Sequence, residues 1–237
     1  VIVLALDTAT PQVGVAVLGP DGVLARHSTD RGMRHAERLV PFVQLALGEA
    51  EVALAELDLI AVDVGPGLYT GLRVGVATAN ALARAVGVPV AGVSSLEALA
   101  AGASGFPGLV VPVIDARRGE VFSATYRWVD GAPLAASPPR LVRPDTLGGE
   151  LAVEDEPVAL IGDGALRYRA CFDPVRQGNI WPLPLARPDP ALVAWLAAER
   201  FGARAGDEAR GEVQPVYLRD PDAVARFGSA GSAEHVR

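Results

Sequence analysis

The chain has 237 residues, half of them hydrophobic, and a formal net charge of −7. That length can bury a sizeable core, and the acidic balance argues against a broad nucleic-acid-binding face. All 21 basic residues are arginine, which removes a Schiff-base lysine and a phosphate-gripping P-loop lysine from consideration. The single cysteine, Cys171, allows no intramolecular disulfide and fits a reducing cytosol. No apolar run reaches the roughly 20 residues of a membrane-spanning helix, so the expectation is a cytoplasmic protein without a membrane partner.

The opening "VIVLALD" reads as a buried strand rather than a signal peptide. "VGVAVL" and "VLARHS" follow as second and third strands around "GPDG", an antiparallel meander. "MRHAERLVPFVQLALGEA" has helical spacing, with Pro41 expected to kink or start it. "LDLIAVDVG" is strand-like. "TGLRVGVATANALARAVG" is helical, with Thr70 expected as N-cap and Gly87 as stop. "VPVAGV" is a fifth strand, and "SSLEALA" opens a helix with Ser94 and Glu97 spaced as a capping box.

The second half starts as the first does. "VVPVIDARRGEVFSATYRWVDG" lies on "IVLALDTATPQVGVAVLGPDG": a strand ending in Asp (Asp7, Asp115), a turn, a second strand, then Asp-Gly. "PVALIGDGA" adds a strand and glycine turn, and "PALVAWLAAERFG" a helix running from Pro190 to a stop at Gly202. "VYLRD" is the last expected ordered element, with a frayed polar tail after it. The pattern predicts an α/β protein of two RNase H-like lobes, of the actin/Hsp70/sugar-kinase (ASKHA) type, spanning 1–103 and 104–220, with 221–237 as tail. The final segment has the option of packing back on the first lobe.

Strand-end Asp7 and Asp115 could hold a metal-bound phosphate, or Asp7 could simply close its own Asx-turn. The turn "DARRG" argues against phosphate, because bulky residues stand where glycine would let a phosphate approach. His27, His35 and His235 lack ligand spacing, and no nucleophile–base motif surrounds any serine. Gly71, Gly75, Ala79 and Ala83 recur every four residues, a nearly bare helical stripe. Such a stripe admits close approach of another helix, of the covered sheet, or of another subunit.

"GPGLYTGLRVG", together with "LALDTAT", "RHAERLVP", "SSLEALA", "VIDARRGEVF" and "PVYLRD", closely resembles the bacterial TsaB family of tRNA threonylcarbamoyladenosine biosynthesis proteins. The motifs run in order from Leu4 to Asp220; Ala132 to Arg187 is generic. The resemblance implies a non-catalytic subunit with no metal site. The related subunit TsaD carries the metal-binding histidines and transfers threonylcarbamoyl to a tRNA adenosine. TsaB proteins pair with TsaD through first-lobe helices, the ATPase TsaE joins them, and the same face supports a homodimer. The tRNA is reached only through the complex.

On this resemblance the interface is Leu39, Val43, Gly71, Val74, Gly75, Thr78, Ala79 and Leu82. Asp7, Thr8 and Asp115 mark a vestigial nucleotide cleft. No cofactor is required, with ATP or ADP at a subunit junction left open. Gly75→Leu or Ala79→Leu is expected to abolish pairing while the lobe stays folded. The alternative is an ATP-using small-molecule kinase of the same fold, with Mg-dependent nucleotide binding that Asp7→Ala weakens.

Overall fold

The computed structural model describes residues 1–30, 34–203 and 211–219; the expected tail lies outside them. Strands β1 (Val3–Asp7), β2 (Val13–Gly19) and β3 (Gly22–Thr29) form the antiparallel meander. Helix α1 (His35–Glu49), with Pro41 inside it, leads to β4 (Leu59–Gly65), which pairs parallel with β1. Helix α2 (Tyr69–Val86) crosses to β5 (Val90–Ser94), and α3 (Ser95–Ala101) follows. The sheet order is β3-β2-β1-β4-β5.

The second half repeats the plan. Strands β6 (Leu109–Arg117), β7 (Glu120–Ser123), β8 (Tyr126–Val129), β9 (Ala132–Ala135) and β10 (Arg140–Val142) precede α4 (Pro144–Leu151). Then come β11 (Val158–Ile161), α5 (Asp163–Arg167), β12 (Gly178–Ile180) and α6 (Pro190–Ala203). The order β10-β7-β6-β11-β12 reproduces the first sheet strand for strand, with β8–β9 as an added hairpin. Asp130 (φ 50°) and Gly131 (φ 82°) turn that hairpin in two residues, the left-handed geometry that Asp-Gly favours.

Side-chain alternation sorts the core into layers. In β1 and β4, Leu4, Leu6, Ile60 and Val62 face α1 and α2, while Val3, Ala5, Leu59 and Ala61 face α3 and α6. Helix α6 therefore covers the first sheet, although its place in the chain assigns it to the second lobe. Helix α3 sits between the lobes: Ala98 and Ala101 meet the first sheet, and Leu96, Leu99 and Ala100 meet Val110 and Ile114 of β6. Burial on both sides explains why five of its seven residues are apolar.

Tertiary contacts override several local expectations. Thr70 is not the N-cap of α2; Leu68 is, in extended backbone, with its N–H given to the Ala9 carbonyl at 2.7 Å. Ser94 caps α3 by position but makes no cap bond, and Glu97 pairs with Arg200 of α6 instead of closing a box. Helix α6 runs through Gly202 to Ala203. Gly87 does stop α2, in left-handed backbone (φ 77°). Residues 211–219 strap the lobes together. Asn80 holds both backbone groups of Val213 (3.0 and 3.1 Å), Val216 N–H reaches the Val64 carbonyl at 2.7 Å, and Arg219 bonds the Ala116 carbonyl at 2.6 Å.

Three of the four glycines of "GPGLYTGLRVG" share one purpose. A Cβ on Gly67 would overlap the Ala9 carbonyl, one on Gly71 the Thr8 carbonyl, and one on Gly75 the Thr8 hydroxyl. That hydroxyl donates to the Gly71 carbonyl at 2.8 Å. The β1–β2 turn is thus seated directly on the backbone of α2. Gly71→Ala is expected to cost about 1–3 kcal/mol by overpacking, read as a lower urea midpoint. Gly48→Ala, on the open side of α1 with nothing within 4 Å of its would-be Cβ, should stabilise by up to about 1 kcal/mol. Equal responses at the two sites would contradict the seating.

Candidate functional site

Three strand-end carboxylates follow one local rule. Asp7 accepts from Ala9 N–H at 2.9 Å, Asp63 from Gly65 N–H at 2.8 Å, and Asp115 from Arg117 N–H at 3.0 Å. Each closes an Asx-turn, which is the structural of the two readings open for Asp7. Neither Asp7 nor Thr8 is exposed at all. Gln12 Nε2 donates to Asp7 at 3.2 Å and to the Pro188 carbonyl at 2.8 Å, so the segment leading into α6 stoppers the first-lobe side of the cleft. Asp115 is held by Arg117 at 3.3 Å, Arg167 at 3.6 Å and the Tyr168 hydroxyl at 3.2 Å, its side chain 4% exposed. The side chains of the expected nucleotide-facing set, Asp7, Thr8 and Asp115, thus all have partners within the chain.

Asp63 ends β4 as Asp7 ends β1. Ser95 Oγ donates to its Oδ1 at 2.5 Å, while its buried Oδ2 has no other protein donor. Burial pushes Asp7 up to about 6. Burial first, and the neighbouring Asp7 charge second, hold Asp63 well above the carboxylate range. Asp7 and Asp63 thus form a buried pair of neighbouring carboxyls, both pushed toward the protonated form by burial. Arg187 adds positive charge nearby while pairing with Asp30 at 3.4 Å and with Asp163, which links the lobes.

The expected partner interface divides. Leu39, Val43, Gly71, Gly75 and Ala79 are buried within their own lobe. The bare stripe faces the sheet and the Thr8 turn, and bulk at Gly75 or Ala79 would disrupt the lobe itself. Val74, Thr78 and Leu82 are half-buried along the side of α2. The outward face carries other residues: Val40 (50% exposed) and Leu45 (47%) on α1, with Ala77, Ala81 and Ala85 on α2. Those alanines also recur every four residues, so a second stripe was present in the sequence two residues out of step with the first. Among the described residues, no three His, Cys, Asp or Glu side chains converge on a metal-sized space, and no helix is long and apolar enough to cross a membrane.

The family model described as TsaD, tRNA N6-adenosine threonylcarbamoyltransferase, matches residues 27–159, more than half of the chain. The tRNA threonylcarbamoyladenosine biosynthesis protein TsaB of Bacillus subtilis is 34% identical over 227 residues, covering 95% of this chain and 97% of the relative. The chain belongs to the TsaB family. It also falls within the broader family that the TsaD description covers. The solved YeaZ of Pseudomonas aeruginosa superposes with a TM-score of 0.76 at 32% identity, covering 92% of this chain and 99% of that one. A ROK hexokinase from Thermus thermophilus, at 15% identity and a TM-score of 0.50 over 84% of this chain and all of that one, shares the two-lobed fold. Membership of the TsaB family puts this chain in tRNA threonylcarbamoyladenosine biosynthesis.

The buried acid pair gives stability a pH signature. Both native pKa values lie above the unfolded value of about 3.9, so above that pH the folded chain binds more protons than the unfolded one. The pair favours folding fully below about pH 4, and this contribution is lost as pH rises through about 6 and beyond. Asp63→Asn removes one of the two titrations. Its urea midpoint should fall less than that of the parent chain between about pH 5 and about pH 8. Parallel profiles would mean that Asp63 carries no proton to lose.

Proposed function

We propose that this chain is the accessory subunit of a threonylcarbamoyl-transferring complex. It pairs with TsaD through the outward face of α1 and α2, and TsaE joins the pair. It turns over no substrate alone, requires no cofactor, works in the cytoplasm, and meets tRNA only within the complex. ATP or ADP belongs at the subunit junction, and in isolation the same face pairs two copies of the chain.

The observation that carries this reading is the composition of that face. Val40 and Leu45 are half exposed on α1, and Ala77, Ala81 and Ala85 are small exposed side chains on α2. Small residues let a partner helix come close, and exposed aliphatics supply apolar area to bury. The kinase alternative has less support. It needs Asp7 and Asp115 for a metal-bound phosphate, and both are engaged in Asx-turns and internal partners.

Ala81→Glu and Val40→Asp put a charge on the outward face without entering the core. Each is expected to leave the unfolding midpoint close to that of the parent chain. Co-purification with TsaD should weaken at least tenfold, equivalent to about 1.4 kcal/mol, and tRNA modification should fall with it. Undiminished pairing in the double variant would place the contact elsewhere.

A further inference from the structure

The hairpin joining β6 to β7 carries an unusual backbone. Arg117 (φ 64°), Arg118 (φ 56°) and Gly119 (φ 76°) are all left-handed. Arg117 pairs across the ladder with Glu120, so Arg118 and Gly119 are the central residues of a two-residue turn. Its first central position favours Asn, Asp or Gly, yet arginine occupies it. Strained non-glycine backbone concentrates at functional sites, and this turn does not serve the face proposed to pair with TsaD.

The turn forms one wall of a 390 Å³ cavity at the lobe junction. Tyr69 and Thr70 at the start of α2 and Tyr217 and Arg219 of the strap line it together with Arg117 and Arg118. The two tyrosine rings lie 4.9 Å apart, tilted by 35°, and both are about two-fifths exposed. Arg73 lies over the Tyr69 ring at 5.5 Å. The one acid in the lining, Asp115, has its carboxylate buried beneath Arg117 and Arg167. Arg73 and Arg167 carry the positive surface past the cavity onto both lobes. In a chain of net charge −7, arginines gather here beside exposed aromatic faces, with Asp115 shared by Arg117 and Arg167 and Glu120 paired with Arg219.

We propose that this mouth is a direct RNA contact, holding one unpaired nucleotide of the tRNA. The base stacks on the Tyr69–Tyr217 pair, Arg117 and Arg118 take its phosphate, and Arg73 and Arg167 take neighbouring phosphates. Aromatic stacking with arginine on the backbone is how unpaired nucleotides are held, and the spread of arginines beyond the cavity fits a strand better than a single free nucleotide. The inference rests on the proposed role within the complex and gives this chain its own hold on the substrate there.

The test is fluorescence anisotropy with a fluorescein-labelled, unmodified tRNA transcript, titrated across a salt series against the reconstituted TsaD complex and against the chain alone. Tyr217→Ala is expected to weaken binding about tenfold. Arg118→Gly relieves the turn, so the chain should melt at a higher temperature while its tRNA affinity falls and its salt slope shrinks by about one. Affinity and slope within twofold of the parent chain for both variants would overturn the proposal. So would variants that lose binding of MgATP, titrated in parallel, while keeping that of tRNA, since the mouth would then be a free-nucleotide site. Co-purification read on the same samples separates the two ideas: a complex that never forms fails the pairing reading, and unchanged tRNA binding fails this one in either format.

Discussion

The carbonyl and hydroxyl of Thr8 occupy the space where the Cβ atoms of Gly71 and Gly75 would be. The turn after β1 and the first turns of α2 are therefore one unit rather than two neighbours. Ala9 extends it by accepting the Leu68 N–H and lying against Gly67. His35 locks the far side, with its Nε2 2.8 Å from the Thr10 carbonyl. A glycine-rich entry to a helix usually leaves room for a phosphate. Here the chain's own backbone fills that room, and the other features follow from it.

With the turn pinned to α2, the side chains at the strand ends point into the protein. Asp7 and Asp63 become a buried acid pair, Gln12 spans from Asp7 to Pro188, and the segment entering α6 closes the first-lobe side of the cleft. The lobes are then tied by Arg187, by α3 between the sheets and by the 211–219 strap. A fold shared with a ROK hexokinase is in this way tied across its lobes by the chain's own residues. What remains for recognition is the outside: the helical face of α1 and α2, and the arginine–tyrosine mouth at the lobe junction.

The strands were legible because alternation in β1 and β4 serves two covered faces, and because Asp130-Gly131 and Gly87 need left-handed backbone at defined points. The duplication was legible from the repeated strand–Asp–turn–strand order. The direction of the α2 stripe was not. Gly71/Gly75/Ala79 and Ala77/Ala81/Ala85 both have a period of four, and only the approach of Thr8 distinguishes the inward set from the outward one. Nor did any local signal say that α6 crosses to the first sheet, since its apolar residues fit either lobe. The Ser94–Glu97 spacing misled because Arg200, about a hundred residues away in the chain, competes for Glu97. Asp63 was readable as a strand-end acid, but its partner becomes apparent only when parallel pairing sets β4 beside β1.

The account holds that this chain contributes a docking surface on the outside of a cleft filled by its own residues. Hydrogen exchange of the purified chain, with and without TsaD, measures this most directly. The account predicts that amides of α1 and α2 slow on addition of TsaD, while those of the Asp7–Gln12 turn are already slow in the chain alone. Slowing confined to the turn, with both helices unchanged, would contradict it.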